Sequence, residues 1–268
     1  RGLRLARMAP RGCTLSVVVP AFNEEARLAD MLSEAVQYLA GRAVLDQSFS
    51  WEILVVDDGS RDRTSDVARR FAAARAPEHI RVLRLERNCG KGAAVREGML
   101  AADGQLLLMA DADGATRFRD VENLEHHFLV HPARRDARML VVGSRAHLKA
   151  AALLKRAWYR NVLTHGFQFL VSLAIGGDVC DTQCGFKLFS RAAARALFSN
   201  LHVSRWAFDV ELLFMAPRLS IEVREEAVKW TEIPGSKMRL SGILQMAKEL
   251  LLIRLMHALG VWQILPSR

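Results

Sequence analysis

Two carboxylates one residue apart, Asp111 and Asp113, close the apolar run 106–110 and lead into Gly114. Carboxylate oxygens suit a hard divalent cation, and Mg2+ in particular is usually held by one or two carboxylates while phosphate oxygens and water complete its shell. The pair therefore suggests a metal-bridged nucleotide, although an isolated Asp-x-Asp after a strand is also how an aspartate-rich turn reads. Three further polar clusters tip the balance. Asn23-Glu24-Glu25, Asp57-Asp58-Gly59-Ser60 and Asn88-Cys89-Gly90-Lys91-Gly92 each follow an apolar run, as Asp111 does. Asp57 or Asp58, acceptor-only when ionised, would take the imide N–H of a uracil ring or a ribose hydroxyl. As a bare Asp-Asp-Gly-Ser the same residues would only cap the next helix. Lys91 and the backbone N–H groups around it would meet a phosphate at a helix N-terminus.

Other charged residues supply a second anion site and a candidate base. Arg117, Arg145, Arg160, Lys187 and Lys237 are candidates to hold a second phosphate, since arginine suits bidentate contact. Taken singly, each also reads as a solvated surface charge. Asp209 and Glu211 stand at i and i+2, so on a helix they would not share a face, and one could face the site while the other pairs with an arginine. Asp181 and Gln183 introduce Cys184-Gly185-Phe186-Lys187, to contact a sugar or to shape a turn.

These residues need a scaffold that gathers them. Short β-branched runs at 15–19, 53–56, 80–85 and 106–110 alternate with helical spacings at 24–39, 64–74 and 91–102. Such alternation predicts an α/β fold, a mostly parallel sheet covered by helices on both faces, with ligands beyond the carboxyl ends of the strands. All four polar clusters fall at those ends. A fifth strand is predicted at 139–143, ending in Ser144-Arg145. The run 162–175 is apolar enough for a core or a bilayer surface but is short for a spanning helix. The stretch 238–262 mixes Leu250, Leu251, Leu255 and Met256 with Lys248, Glu249 and Arg254. It reads either as an amphipathic helix packed on the domain or as one lying in a membrane interface, with Trp262 at headgroup level.

Composition narrows the field. A chain of 268 residues, 51% hydrophobic, can bury a full core, and 17 Gly with 7 Pro is too little for a fibrous or disordered protein. A net charge of +9 implies an anionic partner. Nucleic acid is disfavoured, because the basic residues are dispersed and there is no zinc-finger spacing or aromatic ribonucleoprotein motif. A basic arm, with Arg1, Arg4, Arg7 and Arg11, precedes the first strand, and the absence of an initial Met leaves room upstream for a signal or membrane anchor. Cys13, Cys89, Cys180 and Cys184 form no Cys-x-x-Cys pair and have no second pair or His cluster nearby, so they read as reduced thiols. Val95 stands where a dinucleotide fingerprint needs its third glycine, and no Walker lysine-serine pair occurs, which lowers dehydrogenase and P-loop readings.

In this order, Val19-Pro20-Ala21-Phe22-Asn23-Glu24-Glu25, Val55-Val56-Asp57-Asp58-Gly59-Ser60, Asn88-Cys89-Gly90-Lys91-Gly92 and Asp111-Ala112-Asp113 resemble the family 2 glycosyltransferases of the GT-A fold. In the second half, Gly143-Ser144-Arg145, Asp181-Thr182-Gln183-Cys184-Gly185-Phe186-Lys187, Arg205-Trp206-Ala207-Phe208-Asp209-Val210-Glu211 and Trp230 through Lys237 look like the branch that glucosylates dolichyl phosphate. The resemblance implies transfer from UDP-glucose to dolichyl phosphate, at the cytosolic face of the endoplasmic reticulum membrane, with Mg2+ or Mn2+. Carried onto this chain, it implies a nucleotide-sugar site of Pro20, Phe22, Glu24, Asp57, Lys91, Asp111, Ala112, Asp181 and Gln183, and a metal on Asp111 and Asp113. It further implies an acceptor-phosphate site of Arg117, Arg145, Arg160 and Lys237. Asp113 and Arg145 would be catalytic, and Asp209 is the first candidate if a base is needed. Where related mannosyl enzymes place a metal-binding glutamine this chain has Ala115, so the third ligand has no assignment; the N-terminal anchor of that branch has no counterpart in these residues.

The organisation expected is an arm at 1–13, a transferase domain at 14–237 divided near 115 into nucleotide-sugar and acceptor halves, and an amphipathic helical segment at 238–268. Three alternatives stay open on the sequence: a GDP-mannose-dependent transferase of the same family, a non-catalytic membrane-associated scaffold, and a nucleotidyltransferase. Intact Asp111, Asp113 and Lys91 weigh against the scaffold, and the lack of a triphosphate-cradling motif weighs against the last.

Overall fold

In the computed structural model the described residues are 13–131, 138–145, 181–233 and 240–265. The alternating first half folds as its periodicity predicts, with β1 (Leu15–Ala21), α1 (Leu28–Leu45), β2 (Trp51–Asp57), α2 (Thr64–Arg75), β3 (Ile80–Arg84), α3 (Lys91–Ala101) and β4 (Leu106–Ala110) in succession. After it come α4 (Val121–Val130), β5 (Met139–Ser144), β6 (Phe186–Ser190), α5 (Arg191–Ser199), α6 (Phe208–Met215), β7 (Glu222–Ala227) and α7 (Leu240–Ala258).

The strands form one sheet in the order β3-β2-β1-β4-β6-β5-β7. β1, β2, β3 and β4 are mutually parallel, whereas β6 runs antiparallel to both β4 and β5, and β7 is parallel to β5. Because side chains alternate across a strand, the sheet buries a core on each face. Val17, Val19, Ile53, Val55 and Leu108 point to the side covered by α1, α2 and α4. Val18, Leu54, Val56, Leu107 and Met109 point to the side covered by α3, α5, α6 and α7. β1 and β2 are buried at every position, as expected of strands covered on both faces.

α7 packs one face on the domain, as one of its two sequence readings expects. Met246, Leu250 and Ile253 recur at helical spacing and are buried in the second core, while Glu249 accepts from Ala207 N–H at 2.9 Å. The Trp262 ring stacks on His202 at 4.7 Å between centroids and meets His257 edge-on. Leu251, Leu255 and Leu259 on the other face are exposed. Among the described residues no helix is long and apolar enough to cross a membrane. The run 162–175, Cys180, Arg160, Lys237 and the basic arm lie outside the described residues.

Candidate active site

Parallel strands in register finish on one side of a sheet, so β1, β2 and β4 deliver their carboxyl ends to a common rim. β6 runs the other way and arrives at that rim with its first residues, Ala110 lying opposite Phe186. The reversal sets Gly185 against Asp111. A Cβ added at Gly185 would stand 1.9 Å from Asp111 Oδ2 and 2.2 Å from Asp111 Cγ, so only glycine leaves the carboxylate its place.

Lys91 Nζ lies 2.6 Å from Asp111 Oδ1. Asp113 accepts the Ala115 N–H at 3.0 Å. Burial, and after it the charge of Asp111, push the Asp113 carboxyl above its usual value of 3.8. Two acids crowded in this way are relieved by a cation. The donor set therefore fits a divalent metal held by Asp111 and Asp113, and Ala115 offers no side-chain oxygen to it. Burial alone would lower the Lys91 pKa, but Asp111, Asp209 and Asp113 outweigh it and hold the ammonium charged.

Behind this pair stands a second one, wholly enclosed. Lys187 Nζ lies 2.6 Å from Asp209 Oδ1 and donates to the Cys184 carbonyl at 2.5 Å. Lys187 is completely buried and so is not an open anion ligand. Asp209, the candidate base, is likewise engaged with Lys187, and burial raises its pKa. Among the described residues Glu211 pairs with His202 and His257, not with an arginine. The enclosed pair reaches the rim through one residue: Lys187 holds the carbonyl of Cys184, and the next residue is the Gly185 on which Asp111 rests.

The loops after β1 and β2 are stitched together. Asn23, at positive φ, donates its N–H to Ser60 Oγ at 2.9 Å and accepts from Arg61 N–H at 2.9 Å. Glu24 N–H donates to Thr64 Oγ1 at 2.7 Å, and the Glu24 carboxylate pairs with Arg27. Pro20 lies beyond the last β1–β4 pair, Val18 with Met109, where the strand runs out toward the rim with Phe22 half-buried after it. Asp57 takes the turn role: it is fully buried and accepts from Ser60 N–H at 2.9 Å and from the Ser65 hydroxyl.

Phosphate binding by the α3 backbone does not survive the geometry. Asp58 accepts from Cys89 N–H at 2.6 Å and from Gly90 N–H at 2.8 Å. Gly92 N–H and Ala93 N–H donate to the carbonyls of Arg205 and Ser204. Four donors that sequence reading offered to an anion are thus satisfied inside the fold, leaving the Lys91 side chain as the cation of this loop. Gly90 is required here, with φ of 105° and the Ser204 carbonyl 2.4 Å from where a Cβ would stand.

After β5, Arg145 makes a two-pronged contact with buried Asp181, Nε to Oδ2 at 2.7 Å and Nη2 to Oδ1 at 3.0 Å, and lies 5.4 Å from the centroid of the Trp230 ring. Asp181 thereby orients an arginine rather than facing a sugar. Gln183 donates to the Met246 sulfur of α7 at 2.7 Å. Arg117 is held by Asp120, whose other oxygen accepts Lys229 N–H. Ala112 is buried under the Asp111–Asp113 turn.

Sequence reasoning passed over Gly185, the Ser204 and Arg205 carbonyls, and the Trp230 ring. For the enclosed Lys187–Asp209 pair a signal existed: Lys187 interrupts the apolar Phe186, Leu188, Phe189 run of a central strand, where a charge needs a buried partner.

Comparison with known proteins adds a family and a fold. The profile described as Glycosyl transferase family 2 matches residues 16–198. A human protein named dolichyl-phosphate beta-glucosyltransferase is 48% identical over 255 residues, covering 95% of this chain and 79% of its own length. A Saccharomyces cerevisiae protein of the same name is 39% identical, with 93% and 76% covered. Among solved structures, glucosyl-3-phosphoglycerate synthase from Mycobacterium tuberculosis, in complex with Mn2+, UDP and phosphoglyceric acid, superposes with a TM-score of 0.63. It shares 20% identity, and 92% of this chain and 79% of that one are covered.

Proposed function

Since the chain belongs to glycosyl transferase family 2, we propose that it moves glucose from UDP-glucose to dolichyl phosphate and yields dolichyl β-D-glucosyl phosphate at the cytosolic face of the endoplasmic reticulum. The observation that carries this reading is the charge set at the rim: Asp111, Asp113 and a charged Lys91 2.6 Å from Asp111, gathered where β1, β2 and β4 end. The names of the relatives support glucose and dolichyl phosphate as sugar and acceptor.

A divalent cation bound by Asp111 and Asp113 supplies electrostatic stabilisation of a diphosphate leaving group. The protein's own residues do the rest. Lys91, beside Asp111, stabilises negative charge growing on departing UDP. Pro20, Phe22 and Glu24 frame the uridine, and Asp57 shapes the turn beside it. Arg145, aimed by Asp181 and backed by Trp230, draws the acceptor phosphate toward the anomeric carbon, with Arg117, Arg160 and Lys237 as further cations of that side. A phosphate monoester has a second pKa of about 6 and is largely dianionic at neutral pH, so its oxygen attacks without a base. In-line attack inverts the α-linked donor to a β-linked product. The enclosure of Asp209 agrees with a reaction that needs no proton acceptor.

The test is transfer of labelled sugar from UDP-glucose or GDP-mannose to a short-chain dolichyl phosphate, with Mg2+, Mn2+ or chelator. Lipid-linked glucose from UDP-glucose alone, lost with chelator, is the expected result; product from GDP-mannose instead would replace the donor. Asp113→Asn is expected to lower turnover by about 10²–10³-fold and to leave the metal-free melting temperature unchanged or higher, because it relieves the Asp111–Asp113 repulsion. An active Asp113→Asn enzyme would remove the metal assignment.

A membrane surface is the partner of α7 in this reading. Leu251 and Leu255 border an open groove of about 880 Å³ that Arg218 and Arg254 also line, an apolar strip with cations beside it. Leu251→Glu with Leu255→Glu is expected to reduce co-sedimentation with anionic phospholipid vesicles while UDP binding stays intact. Equal sedimentation of variant and parent would exclude this face.

A further inference from the structure

On the far side of α6 from the rim, three potential ligands converge. His202 Nδ1 lies 3.0 Å from Glu211 Oε1, His257 Nε2 lies 3.5 Å from the same oxygen, and the three ligand atoms all fall within 4.8 Å of one another. They come from three segments: the stretch before α6, α6 itself and α7.

The Glu211 carboxylate is wholly buried, and among the described residues its ion-pair partners are these two imidazoles. Its Oε2 is fixed by Val203 N–H at 2.6 Å and His202 N–H at 3.1 Å, which turns Oε1 toward the rings. The His257 side chain is only 6% exposed, and its Nε2 has no hydrogen-bond partner while aiming at Oε1. At 3.5 Å the gap is too long for a good N–H···O bond. It is close to the spacing at a shared metal, since a tetrahedral ion with bonds of about 2.0–2.2 Å holds its ligand atoms about 3.4 Å apart, and His202 Nδ1, at 3.0 Å and within hydrogen-bond reach of Oε1, would move outward slightly to join it. Trp262 braces both rings, stacked on His202 and edge-on to His257.

We propose that His202, Glu211 and His257 bind a late first-row divalent cation of the Zn2+ class, at a site separate from Asp111 and Asp113, and so clamp the C-terminal helix to α6 and the segment before it. Two imidazoles and a carboxylate suit Zn2+ far better than Mg2+, which prefers an all-oxygen shell. Three protein ligands leave a fourth position for water, on the side where the His202 ring is 29% exposed. The clamp bears on the rim indirectly, because the same segment supplies the Ser204 and Arg205 carbonyls that anchor the start of α3.

The full chain, stripped with chelator and returned to excess Mg2+ so that the rim carboxylates are occupied, is titrated with Zn2+ by calorimetry and melted with and without it. We expect about one equivalent to bind, as at a single three-ligand site, and the melting temperature to rise with Zn2+. His257→Phe and His202→Ala should each weaken uptake by about 100-fold or more, loss of a ligand exceeding the 10–100-fold typical of a supporting residue. Asp113→Asn should bind Zn2+ as the parent does. Co2+ should give the visible absorption of a tetrahedral site in the parent and not in the histidine variants, whose circular dichroism and UDP binding report that they are folded. Absence of Mg2+-insensitive Zn2+ uptake by the parent, or uptake unchanged in both folded histidine variants, overturns the proposal. Neither result depends on sugar transfer, so the site stands or falls apart from the proposed reaction.

Discussion

Gly185→Ala is expected to lower kcat/KM by about 10²-fold or more, the scale of a reacting group misplaced by about 1 Å, in a protein that stays folded. The added methyl would lie 1.9 Å from Asp111 Oδ2 and 2.6 Å from Oδ1, so the carboxylate has to leave its position beside Lys91. Gly185 is not at positive φ among the glycines of this chain, so alanine brings no backbone strain. What yields is the end of a side chain, which costs little in stability but removes a metal ligand from its place. Divalent-cation affinity, measured through UDP binding with and without Mn2+, should fall with turnover while the melting temperature changes little. Wild-type turnover in Gly185→Ala would mean that the Asp111 position seen here is not the working one.

The second large effect is on stability. Lys187→Met removes the partner of a buried aspartate, and breaking an enclosed ion pair from one side costs about 3–5 kcal/mol. Lys187 is wholly buried and Asp209 is 4% exposed, so solvent screens neither. Burial already raises the Asp209 pKa in the intact protein, and loss of the ammonium raises it further. A carboxyl whose folded pKa lies above its unfolded value destabilises the fold above that folded pKa, and the deficit shrinks as pH falls through it and Asp209 takes a proton. Urea unfolding should therefore show the variant weakest at neutral and alkaline pH, recovering on acidification. Asp209→Asn added to Lys187→Met should restore part of the loss at pH 7. A deficit independent of pH, with no rescue, would show that Lys187 acts through its carbonyl contact to Cys184 and not through Asp209.

Much of the rim was legible in the sequence because it follows local rules. Strands covered on both faces read as continuous apolar runs, β4 begins and ends where its run does, and polar clusters after parallel strands have one rim to go to. What failed depends on partners distant in the chain. Asp57 and Asp58 carry equal charge in sequence, and only the fold shows that one caps a turn and the other fills the start of α3. Free N–H groups at a helix start look like an anion site until the carbonyls of Ser204 and Arg205 arrive from the second half. Lys187 reads as an anion ligand or a surface charge and Asp209 as a candidate base, because neither names its partner in the sequence. Of the two readings of α7, the packed helix holds for Met246, Leu250 and Ile253, and the same helix leaves Leu251 and Leu255 exposed.

The reversed strand β6 has a consequence for how the molecule assembles. It pairs with β4 on one side and β5 on the other, joining the first half of the chain to the second within a single sheet. If synthesis paused after residue 115, β4 would present an unpaired, wholly apolar edge, the kind of surface that recruits strands from other chains. Neither half covers that edge alone. The protein is thus committed to a non-local pairing, slow to search and exposed to aggregation while it waits. The same closure that protects the nascent sheet brings Gly185 to Asp111, so a chain that has finished hiding its edge has also finished building its catalytic rim.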